Sequence, residues 1–95
     1  MEQNPDPKQK ARLLERLKAD MADLPPALSG AAKYIIDNPG DFGLDPIRVS
    51  AQKAGVSTNS LVRLASHLGF DGFEGLRGPF RASLTTEREG GLGLA

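Results

Sequence analysis

The chain has no cysteine and no tryptophan, and its one tyrosine and four phenylalanines leave it poor in aromatic residues. The absence of cysteine excludes a disulfide framework and a thiolate metal site. Because aromatic residues are few, we expect a core of leucine, isoleucine, valine and alanine. A length of 95 residues is typical of one domain with a single modest core.

Long apolar runs are also missing, so the sequence predicts no membrane span and no membrane partner. The first seven residues, Met-Glu-Gln-Asn-Pro-Asp-Pro, lack the basic-then-apolar pattern of a secretory signal. We therefore expect a cytoplasmic protein. Catalytic chemistry is poorly supported, because the chain has a single histidine, His67, and no cysteine to pair with it. We expect no enzyme activity, no cofactor and no metal site.

The net charge is zero, which is not the strongly basic signature of a non-specific nucleic-acid binder. The charges are nevertheless unevenly distributed. Between Pro46 and Arg81 the chain has five lysine or arginine residues and only two acidic ones. Asp37, Asp41 and Asp45 precede this segment with no basic residue among them. The segment from Pro46 to Arg81 therefore has a local excess of three positive charges.

Apolar residues recur at three- and four-residue spacing along most of the chain, and no strand-like alternation is seen, which predicts an all-α fold. We expect a bundle of five helices, from about Lys8 to Leu24, Ala27–Asp37, Pro46–Ala54, Thr58–Leu68 and from Gly72 onward. Residues 41–45 are predicted to form a loop, with Asp45 as the N-cap of the third helix.

The last predicted helix has conflicting signals. Asp71 and Glu74 have the spacing of a capping box at its start, whereas Pro79 is expected to kink or break it. The glycine-rich stretch at the end of the chain has no periodicity. We therefore predict a disordered N-terminus at residues 1–7, a domain at residues 8–84, and a flexible tail or linker at residues 85–95.

The segment from Ala51 to Leu64 has the spacing of a homeodomain-like helix-turn-helix. The small Ala51 lies four residues before Gly55, and a capping serine, Ser57, follows. Two helices that cross at a steep angle need a small side chain on the first helix and a tight turn between them. Gly55 suits the left-handed conformation that ends a helix. In proteins that use this geometry on DNA, the second helix enters the major groove.

The outward face of that second helix is expected to carry mostly polar side chains, with either Ser60 or Val62 among them. The Asn59 side chain can form two hydrogen bonds with adenine, and the Arg63 side chain can form two with guanine. Free backbone N–H groups at the helix start suit a phosphate. The predicted DNA-binding residues are Arg48, Lys53, Ser57, Thr58, Asn59, Ser60, Arg63 and His67, with His67 as a weak phosphate contact.

Two other functions stay open on the residues alone. A helical protein-interaction module could have the same packing without contacting DNA, and the zero net charge supports it. A small hydrolase would have to be built around His67, with no other feature in its favour. The apolar stripe from Leu13 to Leu24 is most simply core, but it could also contribute to a homodimer, because helix-turn-helix regulators usually bind paired half-sites.

Several segments together resemble one regulator family. They are Leu24-Pro-Pro-Ala-Leu-Ser-Gly-Ala-Ala-Lys-Tyr-Ile-Ile-Asp-Asn-Pro39, Ile47-Arg48, Ala51, Ala54-Gly-Val-Ser57, Val62-Arg-Leu64 and Leu68-Gly-Phe-Asp-Gly-Phe73. In this order and spacing, the chain resembles the N-terminal domain of RpiR-type bacterial transcriptional regulators over roughly Leu13 to Leu84. The resemblance implies a DNA-binding domain in a regulator of sugar or amino-sugar metabolism, with Arg63 at the place of the family's arginine.

The chain departs from the family pattern in three places. Ser50 stands where leucine is common, and a buried hydroxyl there would need a backbone partner. Gly78-Pro79 interrupts a helix that the family usually continues. The chain also ends where the family has a sugar isomerase-type domain that binds phosphosugars. A phosphosugar effector is therefore expected only if such a domain is present, and the chain is expected to be either a fragment or a stand-alone protein.

Overall fold

The computed structural model describes the backbone of residues 7–94 and the side chains of residues 9–84. The described backbone contains helices and no strand, which confirms the all-α prediction. The helices are α1 (Pro7–Asp20), α2 (Pro26–Asp37), α3 (Pro39–Leu44), α4 (Ile47–Ala54), α5 (Thr58–His67) and α6 (Phe73–Leu94), and a short 3₁₀ turn, Met21–Asp23, follows α1. The disorder predicted for the N-terminus lies outside the described residues except at Pro7.

The structure has one helix more than the five predicted, because residues 39–44 form α3 where a loop was expected. Asn38 ends α2 as predicted, but Pro39 then occupies the first turn of the new helix, where proline is tolerated. The glycines of α3 do not favour a helix by themselves. Its stability comes from Phe42, which is fully buried against α6.

The buried core contains Leu13, Leu17, Leu24, Leu28, Ala31, Ala32, Ile35, Phe42, Ala51, Leu61, Leu64, Ala65, Leu68, Phe73, Leu76 and Phe80. Three of the four phenylalanines are thus in the core, although an aliphatic core was expected. Phe42 packs edge-on against Phe73 and Phe80, with ring centroids 5.5 and 5.2 Å apart. Such edge-to-face pairs add stabilisation beyond burial of their area.

The backbones of α3 and α6 approach each other closely at Gly43. A Cβ atom at this position would lie 2.8 Å from the carbonyl carbon of Phe80 and 2.9 Å from the amide nitrogen of Arg81. Only glycine fits such a contact without a shift of the backbone. Aromatic packing of Phe42 therefore holds the short α3 helix against α6. The absence of a side chain at Gly43 allows the two backbones to come this close.

The expected break at Pro79 does not occur, since α6 continues through it. A proline costs the helix one backbone hydrogen bond. Here the buried Leu76 and Phe80 lie on either side of it and hold both parts of the helix against the core. The backbone of residues 85–94 continues the same helix, so most of the predicted tail is helical. Its predicted flexibility stays a prediction.

Ser50 is fully buried on the inner side of α4, as its position predicts. Its hydroxyl was expected to need a backbone partner, but it has no hydrogen-bond partner among the described residues. An unsatisfied buried hydroxyl destabilises the fold. None of the described helices is long and apolar enough to cross a membrane.

Candidate nucleic-acid interface

The turn between α4 and α5 closes through a complete Schellman motif. Gly55 adopts the left-handed conformation, with φ of 75°, which confirms the prediction from its position. The Val56 N–H donates to the Ala51 carbonyl over 3.0 Å, and the Gly55 N–H donates to the Gln52 carbonyl over 3.2 Å. Ala51 is buried, as the steep crossing of the two helices requires. The helix-turn-helix geometry is thereby fixed by local backbone bonds.

The start of α5 is capped by Ser57, as predicted. The Ser60 N–H donates to the Ser57 Oγ over 3.1 Å, and the two hydroxyl oxygens also lie 3.1 Å apart. This arrangement contradicts the expected place of Ser60 on the outward face. Ser60 is only 9% exposed, because its side chain bonds the cap instead of pointing away from the domain.

The end of α5 is closed by a second Schellman motif at Gly69, whose φ is 93°. The Phe70 N–H donates to the Ala65 carbonyl over 2.9 Å, and the Gly69 N–H donates to the Ser66 carbonyl over 3.0 Å. Side-chain support comes from α1. The guanidinium of Arg16 donates to the carbonyls of His67 and Leu68, each over 3.3 Å.

His67 belongs to this contact with α1. Its Nε2 lies 3.2 Å from the Asp20 Oδ2, and the same carboxylate oxygen lies 3.5 Å from the Nε of Arg16. The Nε2 atom is thus already bonded within the domain. The prediction of His67 as a phosphate contact is not supported by this geometry, since the side chain is directed to α1.

The remaining surface of α5 is polar. We call Thr58, Asn59, Val62, Arg63 and Ser66 the exposed α5 face, because all five side chains are exposed. The opposite side of the helix is fully buried at Leu61, Leu64 and Ala65, as the apolar spacing predicts. Of the two candidates left open, Ser60 and Val62, the structure places Val62 on the outside.

Lys53 is engaged by carboxylates and is a poor phosphate candidate. Its Nζ lies 2.8 Å from the Asp45 Oδ2 and 3.7 Å from the Asp41 Oδ2. The hydrogen bond to Asp45 raises the pKa of Lys53 above its ordinary value. Asp45 was expected to cap α4, but Pro46 takes the N-cap position and no side chain caps the helix there. The Asp45 carboxylate binds Lys53 instead.

The hydroxyl of Tyr34 is buried beside this group and has no hydrogen-bond partner among the described residues. Burial raises the pKa of Tyr34, while the nearby charge of Lys53 acts in the opposite direction.

Asp41 and Asp45 both pair with Lys53. No group of three or more His, Asp or Glu side chains within the described part of the chain could hold a metal ion.

Arg77 is also engaged inside the domain. It donates to the Asp45 carbonyl over 2.9 Å, pairs with Glu74 over 2.9 Å, and lies over the ring of Phe73. Glu74 therefore joins an ion pair rather than the predicted capping box, and Asp71 makes no capping bond within the described residues. Two of the five basic residues between Pro46 and Arg81, Lys53 and Arg77, are thus partnered with oxygen atoms of the domain itself.

Arg48 and Arg63 differ from these two residues. Both are exposed, and neither makes a hydrogen bond or an ion pair with any other described residue. Arg48 lies in the first turn of α4, which has no acidic residue. A positive charge there is unfavourable beside the positive end of the helix dipole. A bound anion would offset this unfavourable interaction between the Arg48 charge and the helix dipole.

The contribution of α1 was missed by the sequence analysis. Arg16 and Asp20 show an i, i+4 charge pair, which is visible in the sequence but does not indicate a partner 51 residues away at His67. The same holds for the bond from Arg77 to the Asp45 carbonyl, which spans 32 residues. Only tertiary packing brings these groups together.

Comparison with known proteins identifies one family. The model of the helix-turn-helix domain of the rpiR family matches residues 11–87, which include α2 to α5 and most of α1. No curated protein matches the chain, and no solved structure does.

Proposed function

Because the chain belongs to the rpiR family of helix-turn-helix domains, which are DNA-binding domains of transcription regulators, we propose that it binds double-stranded DNA sequence-specifically through α5. The observation that carries this proposal is the exposed α5 face, held between a capped start and a capped end. A rigid helix of ten residues is about 15 Å long. The major groove, about 12 Å wide, admits such a helix.

The polar and basic side chains proposed to contact DNA fall into two groups. Asn59 and Arg63 are the base contacts, with adenine and guanine as their best partners. Ser57 and Thr58 lie at the N-terminus of α5 and suit a phosphate. Arg48 is the proposed phosphate contact from α4, in agreement with its lack of a partner among the described residues. Lys53 and His67 are left out, because their side chains are engaged by carboxylates of the domain. Ser60 is left out because it is buried, whereas Ser57 is exposed.

The wider biological setting is also a proposal. The resemblance suggests a regulator of sugar or amino-sugar metabolism, located in the cytoplasm and without catalytic activity. A homodimer would let two copies of α5 bind paired half-sites. A phosphosugar effector is proposed only for a protein in which this domain is joined to a sugar isomerase-type domain.

The direct test is selection of bound sequences from random duplexes with the chain as it stands. We expect one enriched motif, and affinity for it should fall steeply as the salt concentration rises. Binding without an enriched motif would contradict sequence specificity. No binding at low salt would contradict the proposal as a whole.

Arg63→Ala sharpens this test. We expect it to weaken binding of the selected duplex by about 1–3 kcal/mol and to relax the preference at one base pair. The control is Lys18→Ala, which removes one exposed positive charge from α1 and should leave the preference unchanged. If Arg63→Ala lowers the affinity equally for all sequences and flattens the salt dependence, Arg63 contacts a phosphate rather than a base.

A protein-interaction module is the second candidate function. It is favoured by the zero net charge of the chain and by Leu44, which is 65% exposed at the end of α3. Salt dependence separates the two, since binding to DNA must weaken steeply as salt rises.

A further inference from the structure

Val62 is an apolar side chain on an otherwise polar surface. The exposed large hydrophobic residues in the described part of the chain are Leu44 and Val62, and Val62, 38% exposed, lies on α5. The other members of the exposed α5 face are Thr58, Asn59, Arg63 and Ser66, which can all form hydrogen bonds. No role has been given to Val62 so far.

Its position on the helix places it among the proposed base contacts. Successive residues of an α-helix are rotated by about 100°, so Val62 lies about 60° from Asn59 and about 40° from Ser66 when viewed along the axis. Arg63 is the next residue along the chain. The buried stripe at Leu61 and Ala65 lies on the other side of Val62. Val62 therefore lies within the exposed α5 face, between the buried stripe and the proposed base contacts.

The major groove presents one apolar group among its base edges, the C5-methyl of thymine. We propose that Val62 contacts this methyl group and favours a thymine at one position of the bound sequence, beside the bases bound by Asn59 and Arg63. This inference rests on the proposed function, because it needs α5 in the major groove.

The side chain suits this contact for two reasons. A β-branched residue in a helix has one strongly preferred χ1 rotamer, so its methyl groups are already fixed before binding. The contact between the two apolar groups removes both from water without leaving a polar group unpaired.

The test replaces each thymine of the selected duplex by deoxyuridine, one at a time. This change removes only the C5-methyl and keeps all base-pair hydrogen bonds. At one thymine we expect the affinity to fall about fourfold, the effect of one methyl group withdrawn from an apolar contact. The same change at the other thymines should have little effect. A selected duplex with no uracil-sensitive thymine overturns the inference while the proposed function stands.

Variants then assign the contact to its side chain. In Val62→Ala we expect the thymine and uracil duplexes to bind equally, whereas Val62→Thr, which keeps one methyl branch, should retain part of the preference. Leu44→Ala is the matched control, because it shortens the other exposed apolar side chain, which lies on α3 outside the proposed interface, and should leave the preference intact. Uracil sensitivity that survives in Val62→Ala, or disappears in Leu44→Ala, overturns the assignment.

The folding of these variants is checked by their unfolding transitions. Val62 is exposed, so Val62→Ala leaves no cavity and should unfold as the parent does. If no duplex is enriched in the first selection, the proposed function fails and this inference fails with it. The two failures are therefore distinguishable by whether selection yields a motif.

Discussion

The contact between α3 and α6 and the exposed α5 face differ in where their polar groups find partners. Around α3, Asp45 accepts bonds from both Lys53 and Arg77, and the aromatic rings fill the space between the helices. On the exposed α5 face, Asn59 and Arg63 make no side-chain bond within the described residues. A positive charge in the sequence therefore indicates a binding surface only where the fold leaves it without an internal partner.

This difference changes which of the basic residues between Pro46 and Arg81 can be expected to contact DNA. The five basic residues between Pro46 and Arg81 suggested a positive surface around α5. Two of them, Lys53 and Arg77, stabilise the α3 side of the domain. Arg48 and Arg63, which lie in the helix-turn-helix itself, are exposed and have no partner among the described residues. The proposed DNA contact is thus narrower than the sequence alone predicts.

The largest expected effect is on the α3–α6 contact. Phe80→Ala should lower the free energy of unfolding by about 3–5 kcal/mol, because it removes a fully buried ring and leaves a cavity beside Phe42. Urea denaturation followed by circular dichroism measures this. Leu44→Ala is the control on α3 itself and should cost little, since Leu44 is exposed. Equal losses in the two variants would contradict the packing described here.

Gly43→Ala should cost about 2 kcal/mol, because the new Cβ would collide with the backbone of α6. The matched control is Gly40→Ala in the same helix, whose Cβ would meet only the Leu84 side chain at 3.8 Å. That change should stabilise the domain by up to about 1 kcal/mol through helix propensity. The two glycines should therefore shift the unfolding midpoint in opposite directions, and a shift in the same direction would refute the close approach.

Ser57 separates stability from binding at the start of α5. Ser57→Ala should destabilise the domain by about 1 kcal/mol through loss of the N-cap. Ser57→Asp keeps a capping oxygen and should keep the stability, but its negative charge should weaken binding to the selected duplex. Thermal unfolding and DNA titration of both variants check this. Unchanged DNA affinity in Ser57→Asp would place the phosphates elsewhere.

The smallest effect is expected from single phosphate contacts. Arg48→Ala should weaken binding evenly across sequences and reduce the slope of the salt dependence by about one. Lys53→Ala should change the slope less, because Lys53 is already paired with Asp45. Affinities measured at several salt concentrations give both slopes. A larger change with Lys53→Ala than with Arg48→Ala would show that binding to DNA displaces Asp45.

The helix-turn-helix was predictable because its signals are local. Gly55 and Ser57 each act through hydrogen bonds that span at most five positions, and spacing alone indicated their roles. The register of the buried α5 residues followed from the same periodicity. The family resemblance depended on these positions as well.

The errors have a different origin. The helix α3 has weak local propensity and depends on Phe42 meeting α6, so its sequence reads as a loop. Ser60 was assigned to the surface because its competing bond, to the cap at Ser57, is not visible in a pattern of polar and apolar residues. The carboxylates that engage Lys53 and His67, for which phosphate contacts are predicted, are likewise not visible in such a pattern.

The hydrogen bonds from Arg16 to the carbonyls of His67 and Leu68 determine whether the helix-turn-helix can be moved into another protein. Within the described residues, the side-chain hydrogen bonds that reach α5 from another helix come from α1. A graft of residues 47–70 into a different scaffold would leave those carbonyls and the negative end of the helix dipole without their cation. A chimeric regulator built from this domain therefore needs α1 in its native place, or a new arginine that takes over from Arg16.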